Sequence, residues 1–437
     1  MTIKIMPCRI KWNDAHYNIA MRDFEGVGIM AEELDRRAIE LHRKNRGKLE
    51  VKSKVDASTR EGLSLAYTPG VAAVCNEIVK NPDAVYDLTM KWNSVAVVSD
   101  CTRVLGLGNI GPLAGMPVME GKAVLFKSYA NIDAFPICLS CHSADEIVAT
   151  VKNISPVFGG INLEDIESPK CFSVEERLKK ELPIPVFHDD QHGTAVVVLA
   201  GLINALKVVG KNKKSARIVV AGAGAAGCAI AKLLVADGFS DVLVCDSKGI
   251  LSDSEGLAPY KRELARLTNR RGKTGTLADA MQGADALIGL SAPNIISSEM
   301  VKSMGASPII FALSNPVPEI APELAKKSGV KIFGTARADL PNQVNNVLGF
   351  PGIFRGALIV RARQIDERMK LAAAYALAFV VGEKELSRDF VLPFAYDRRV
   401  VPAVATAVAK AAMKSNVAGL KKSDAEIRNE LGALGLL

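Results

Sequence analysis

Gly222, Gly224 and Gly227 lie between an apolar run, Ala216-Arg217-Ile218-Val219-Val220, and an alanine-rich run from Ala225 to Ala236. The run before reads as a strand and the run after as a helix. A G-x-G-x-x-G spacing in that setting constrains the fold more than any other feature of the chain. Each glycine meets a separate steric demand: a tight turn, close approach of backbone to a pyrophosphate, and close packing of helix on strand. The helix N-terminus then offers unpaired N–H groups and the positive end of its dipole to bound phosphates. Asp246 ends the next strand, Val242-Leu243-Val244-Cys245, 19 residues after Gly227. Its carboxylate suits a ribose hydroxyl. The stretch Gly222-Ala223-Gly224-Ala225-Ala226-Gly227 with Asp246 is therefore the expected seat of a dinucleotide. The negative charge of Asp246 disfavours a 2′-phosphate and so favours NAD, while Lys248 softens that preference and admits NADP.

Further strand-like runs follow at Ala286-Leu287-Ile288-Gly289 and Pro308-Ile309-Ile310-Phe311-Ala312, after a long apolar helix expected at Thr194 to Val209. Strand–helix alternation of this kind builds a doubly wound parallel sheet. Upstream, Ser94-Val95-Ala96-Val97-Val98-Ser99, Ala123-Val124-Leu125-Phe126 and Ala134-Phe135-Pro136-Ile137 read as strands, and Ala144 to Asn153 as a helix. The fold expected is α/β: a variable extension over 1–25, an N-terminal α/β substrate and metal domain over 26–190, a Rossmann-type NAD(P)-binding domain over 191–355, and a helical C-terminal segment over 356–437. A second glycine trio, Gly106, Gly108 and Gly111, has the same spacing. Pro112 and Pro117 follow it, so it reads as a loop beside a ligand rather than a second fingerprint.

Paired carboxylates precede the fingerprint. Glu164-Asp165 follows Gly159-Gly160 and an apolar stretch; Asp189-Asp190 follows Ile184-Pro185-Val186-Phe187-His188. Adjacent acids are usually solvated surface groups. These follow strand-like runs, and the active sites of open α/β sheets gather at strand ends. Carboxylate oxygens are the ligands that Mg²⁺ and Mn²⁺ prefer. A cation beside a nicotinamide points to redox chemistry on a hydroxy acid. Lys122, ahead of an apolar run, is a candidate base whose pKa burial would lower. Tyr67, in Ala66-Tyr67-Thr68-Pro69-Gly70, carries a hydroxyl within a turn. Cys138-Leu139-Ser140-Cys141-His142 has the spacing of a haem-attachment motif, and His188 and His192 have that of a zinc pair. The first lacks an export signal and the second straddles a strand–helix junction, so neither is expected to bind its group.

The net charge of +8 is spread among acids, and aromatics make up only 5% of the 437 residues. That excludes a basic stripe for nucleic acid and suits small anionic ligands. No apolar run is expected to reach the length of a membrane span. The N-terminus lacks a secretory core, and the eight cysteines fit reduced thiols, so a cytoplasmic protein is expected.

Taken in order, several stretches resemble the malic enzyme family in its short bacterial and archaeal form. They are Leu65 to Val71, Arg103 to Gly111, Gly121-Lys122, Gly160 to Asp165, Phe187 to Thr194, Gly222 to Gly227, Asp246 to Gly249, Ala312 to Pro316, and Asn345-Asn346. The resemblance implies divalent-metal-dependent oxidative decarboxylation of (S)-malate to pyruvate and CO₂ with reduction of NAD or NADP. It implies Glu164, Asp165 and Asp190 as Mg²⁺ or Mn²⁺ ligands with Asp189 in support, Lys122 as general base and Tyr67 as general acid. It also implies Arg103, Asn315 and Asn346 as substrate-binding residues. It further implies a homodimer or larger homo-oligomer, with active-site residues shared between subunits, and no phosphotransacetylase-like extension. Other readings are a related decarboxylating dehydrogenase, such as one acting on tartrate, a malolactic enzyme that keeps NAD bound, and a cofactor-sensing binding protein without catalysis.

Overall fold

The computed structural model describes residues 24–437 except His142, and it separates into two compact units, Met1–Glu50 and Val51–Leu437. The described part of the first unit is helix α1 (Phe24–Asn45), a charged helix in which Arg36 bridges Glu33 and Glu40 at 2.6 and 2.8 Å. These are the i,i+3 and i,i+4 pairings that support an exposed helix.

The second unit opens with short helices α2 (Arg60–Ala66), α3 (Val71–Lys80) and α4 (Val85–Leu88). Neither α2 nor α3 buries a single residue. There follows β1 (Ser94–Ser99), α5 (Gly111–Ala130), β2 (Asp133–Cys138), α6 (Ala144–Ile154), β3 (Gly160–Leu163), α7 (Lys170–Glu181), β4 (Val186–His188) and α8 (Asp189–Val208). The four strands form a parallel sheet in the order β2-β1-β3-β4. Every residue of β1 is buried, as expected of a central strand covered on both faces.

A second sheet follows: β5 (Arg217–Ala221), α9 (Ala225–Ala236), β6 (Asp241–Asp246), β7 (Gly249–Ile250), α10 (Pro259–Thr268), α11 (Leu277–Met281), β8 (Ala286–Gly289), α12 (Ser298–Lys302), β9 (Ile309–Ala312), α13 (Pro322–Lys327) and β10 (Ile332–Thr335). Its order is β10-β9-β8-β5-β6-β7, parallel except for the short β7. The order reverses at β5, so the turn after β5 opens at the switch point where α/β sheets hold ligands. Helices α14 (Phe350–Ile359), α15 (Glu367–Val380), α16 (Val400–Lys414) and α17 (Asp424–Ala433) complete the chain. One apolar cluster joins the unit: Val95 and Val97 of the first sheet, Ile218 and Val220 of the second, α8, and α14 to α16 all contribute.

The expected fold class is the one observed. Two local expectations fail. Ala123–Phe126 is not a strand but part of α5, and the Gly106–Gly111 segment does open a helix, which begins at Gly111 with Pro112 in its first turn. A short apolar run has no periodicity to separate strand from buried helix. Proline in the first turn of a helix forfeits no intrahelical bond, because the N–H groups there have no intrahelical partner. The membrane expectation also needs correcting. Among the described residues α8 (20 residues) has the length and apolarity of a span, with mean hydropathy 1.2 over its 18-residue apolar window, but 72% of that window is buried inside the protein. A helix covered on all sides in a core is apolar on all sides.

Candidate functional site

The carboxylates meet at the C-terminal edge of the first sheet. β3 delivers Glu164 and Asp165, and β4 delivers Asp189 and Asp190 as the first turn of α8. One oxygen each from Glu164, Asp165 and Asp190 falls within 4.8 Å of the others. Asp165 has a left-handed backbone (φ +52), and its N–H donates to Asp190 Oδ2 at 2.8 Å. Asn162 steers Glu164, donating to Oε2 at 2.9 Å. Burial lifts Glu164 well above the ordinary carboxylate range; Lys122 opposes the rise, and the charges of Asp190, Asp189 and Asp165 add to it. Burial and the charge of Asp190 push Asp165 up to about 7. Asp165 Oδ2 has no hydrogen-bond partner. Crowded, desolvated carboxylates with an unsatisfied oxygen fit a hard divalent cation, whose charge would relieve their repulsion.

Asp190 departs from this pattern. It is half-buried, and although burial opposes its ionisation, the adjacent His188 holds its pKa below the ordinary value. His188 Nε2 stands 3.2 Å from Asp190 Oδ2. The His188 ring is fixed by Gln191 at 2.9 Å, and Gln191 donates to the buried Glu175 at 3.1 Å. His192 pairs with the same Glu175 at 2.9 Å. The two histidines therefore serve carboxylates rather than a zinc ion. An imidazole behind a metal-binding carboxylate orients its oxygens.

Lys122, only 7% exposed, lies on the inner face of α5. Its ammonium donates to Asp189 Oδ2 at 2.6 Å, sits 2.9 Å from Glu164 Oε1, and lies 4.4 Å from the centre of the Phe350 ring. The sequence analysis expects burial to lower its pKa. Burial does pull that way, but the two carboxylates outweigh it, and the lysine is held above its ordinary value. Asp189 is therefore the counter-ion of Lys122, with its other oxygen, Oδ1, unpartnered. It reaches that place because residue 193 is glycine: a Cβ there would lie 1.8 Å from Asp189 Oδ1 and 3.1 Å from Asn346 Cβ. Asn346 thus lies beside Gly193 of α8.

Arg103 is exposed on the loop after β1; its N–H donates to the Asp165 carbonyl at 3.1 Å, and its charge favours ionised Asp165. Asn315, on the loop after β9, meets the Gly106 loop: a Cβ at Gly106 would stand 3.1 Å from the Asn315 carbonyl oxygen and from Pro316 Cδ. Tyr67 is set apart from these groups. It caps the C-terminus of α2 and is 67% exposed. Among the described residues no contact links its hydroxyl to Lys122 or the carboxylates. Cys138 and Cys141 are not paired, and His142 lies outside the described residues. Burial pushes the Cys138 thiol up to about 12, and Cys141 Sγ instead lies 3.8 Å from Thr150 Oγ1.

The fingerprint turn fulfils its steric roles one glycine at a time. Gly222 has φ +130, and a Cβ there would strike the Leu290 carbonyl oxygen at 2.6 Å. A Cβ at Gly227 would lie 1.9 Å from the Gly222 carbonyl oxygen. A Cβ at Gly224 would meet nothing within 4 Å, so that face is open to a ligand. Ala223, Ala225 and Ala226 complete the turn and the start of α9. Asp246 accepts the Lys248 N–H at 2.8 Å and the Lys261 ammonium at 2.6 Å. Burial works against its ionisation, but Lys261 holds its pKa below the ordinary value. Lys261 on α10 and Phe350 went unnoticed in the sequence; Asn162 and Gly193 lie within matched stretches but carried no assigned role. Each matters through what folding sets beside it.

The profile of the malic enzyme N-terminal domain matches residues 44–179, and that of the malic enzyme NAD binding domain matches 191–413. The chain is 56% identical over 402 residues to a bifunctional malic/malolactic enzyme of Bacillus subtilis, covering 92% of this chain and 98% of that protein. It is 55% identical over 373 residues to an NAD-dependent malic enzyme of Geobacillus stearothermophilus, covering 85% and 78%. Its fold matches the crystal structure of a malic enzyme from Pyrococcus horikoshii with a TM-score of 0.88 and 48% identity, covering 92% and 95%.

Proposed function

The chain belongs to the malic enzyme family, and from that premise we propose that it converts (S)-malate to pyruvate and CO₂ while reducing NAD(P). Glu164, Asp165 and Asp190 are the proposed ligands of Mg²⁺ or Mn²⁺. The observation that carries the reading is the buried Lys122 held between Glu164 and Asp189, within reach of a three-carboxylate cluster.

When bound, the dinucleotide supplies the hydride acceptor and the divalent cation supplies polarisation of the C2 oxygen. The chain's own groups do the rest. Arg103, Asn315 and Asn346 grip the substrate's carboxylates and fix C2 toward the nicotinamide. With the cation bound, Glu164 would relax its hold on the Lys122 ammonium, which gives up a proton to solvent while Asp189 orients it; the neutral amine then takes the C2 hydroxyl proton as hydride leaves. With C2 oxidised to a ketone, the C4 carboxylate leaves as CO₂ and the electron pair forms the enolate of pyruvate. Tyr67 protonates that enolate at C3. The open face of Gly224 and the N-terminus of α9 receive the pyrophosphate.

Tyr67 is proposed to act on the site of a second copy. It sits with Leu63, Leu65 and Val79 on two helices that bury nothing of their own, and all four are exposed. A homo-oligomer that covers this surface would bring the hydroxyl to a neighbouring lysine.

The test is malate-dependent absorbance of reduced dinucleotide with pyruvate as product, abolished by a chelator and restored by Mg²⁺ or Mn²⁺. No absorbance rise with either dinucleotide and either cation would overturn the reading. Lys122→Ala is expected to lower kcat by roughly 10²- to 10⁴-fold with circular dichroism unchanged. A second reading is supported by the Bacillus subtilis relative, whose name includes malolactic activity. Lactate formed from malate without net change in dinucleotide absorbance would favour it.

A further inference from the structure

Glu319 is fully buried at the C-terminal edge of the second sheet, and its carboxylate spans two loops. One oxygen, Oε1, accepts the N–H of Ser291 after β8 at 2.9 Å; the other, Oε2, accepts the N–H of Ser314 after β9 at 3.1 Å. Its backbone continues the latch. The Glu319 carbonyl accepts the Ile296 N–H at 3.0 Å, and the Pro318 carbonyl accepts the Asn294 N–H at 3.1 Å. Glycine at 289 makes room, since a Cβ there would come within 2.6 Å of Glu319 Cδ. Burial pushes the acid's pKa up, and the backbone N–H groups oppose that rise.

Each latched loop leads to a different part of the site. The β8 loop begins at Leu290, whose carbonyl presses on Gly222 of the fingerprint turn. The β9 loop runs from Ser314 to Asn315 and Pro316, which lie against Gly106, on the loop whose Arg103 N–H donates to the Asp165 carbonyl. We propose that Glu319 is a positioning residue, holding the dinucleotide turn and the substrate loop of Asn315 in one fixed register through its two carboxylate oxygens. The substrate half of this inference rests on the proposed malate reading; the dinucleotide half does not.

A buried carboxylate bridging two loops also serves as a plain brace, so the test needs a matched control. Asp285, at the start of the same strand β8, accepts the Arg217 N–H at 2.8 Å and pairs with Lys211 at 2.7 Å, far along the strand from both loops. Glu319→Gln keeps the shape but points an amide N–H₂ at one backbone N–H. Glu319→Gln and Asp285→Asn are compared by thermal denaturation, fluorescence titration with NADH and steady-state kinetics with malate. Both are expected to lower Tm. Only Glu319→Gln is expected to raise the NADH Kd and the malate KM, each about tenfold, with a smaller change in kcat. Normal Kd and KM in Glu319→Gln, or equal rises in both variants, overturn the proposal. If Glu319→Gln does not fold, hydrogen exchange on the wild-type protein decides. The amides of Ser291 and Ser314 must gain protection together when NADH binds, and independent behaviour overturns the inference. Should the wild-type protein fail to turn over malate, the NADH titration still decides the role of Glu319, and the failure falls on the proposed reaction.

Discussion

At the residue scale the site is governed by charges that burial makes expensive. Asp165, pushed up to about 7, keeps its proton in the folded protein where an unfolded aspartate would already have lost it. Between about pH 4 and 7 the folded state therefore binds more protons than the unfolded one, and this group's contribution to stability falls as pH rises. The metal-free protein should lose Tm across that window, and Mg²⁺ or Mn²⁺ should restore more at pH 8 than at pH 5, because the cation competes with the proton. A differential scanning calorimetry series with and without metal checks this; a metal-induced Tm gain independent of pH would contradict it. Gly193 makes a second residue-scale prediction. Gly193→Ala would drive a methyl into Asp189 Oδ1, displacing the partner of Lys122. A loss of kcat on the order of 100-fold is expected, with the carboxylate cluster still able to bind Mn²⁺ by electron paramagnetic resonance. The identity of these acids was legible in the sequence, since adjacent carboxylates after strand-like runs mark strand ends. The division of labour was not. Nothing in Asp189-Asp190 says that one side chain turns to the lysine and the other to the cation cluster; the start of α8 splays them apart.

At the element scale the fingerprint turn is where pattern and structure agree most closely, because each glycine obeys local sterics that motif spacing records. The consequences should separate. Gly227→Ala brings a Cβ to 1.9 Å from the Gly222 carbonyl oxygen, so it should break the strand–turn–helix packing and lower Tm. Gly224→Ala meets open space, so it should leave Tm unchanged and weaken dinucleotide binding, measured by NADH fluorescence. Equal effects on Tm would refute the division. Helix α5 carries the opposite lesson. Its apolar run reads as a strand, yet it is the helix that carries Lys122 into the site. Its C-terminal end is held by Arg355, fully buried in α14, which donates to the Ala130 and Asn131 carbonyls and to Asn93. Burial pulls its pKa down to about 10 against the opposing charges of Glu430 and Asp133, and among the described residues it forms no ion pair. Arg355→Leu would strand those acceptors and is expected to cost roughly 2–4 kcal/mol in a urea titration.

At the scale of the whole molecule the site is assembled by two sheets and, on the reading proposed above, by two copies. Gly106 of the first half lies against Asn315 and Pro316 of the second, while Tyr67 is exposed. Mixing Tyr67→Phe with Lys122→Ala should therefore recover up to about a quarter of wild-type activity through sites that pair one intact lysine with one intact tyrosine, as random assortment in a symmetric dimer requires. Light scattering should report at least a dimer; a monomer, or no recovery on mixing, would place Tyr67 elsewhere in the mechanism. The sequence by itself determined the α/β class, the dinucleotide turn, the order of the motifs and the membership they imply. Those depend on short-range rules, in which spacing along the chain stands for geometry. Tertiary structure alone decided that Lys122 is a helix residue clamped as a cation, that Asp246 is shared with Lys261, and that Glu319 binds two loops together. Each depends on partners brought from distant elements, and the energy of a buried charge is set by what surrounds it rather than by its neighbours in sequence.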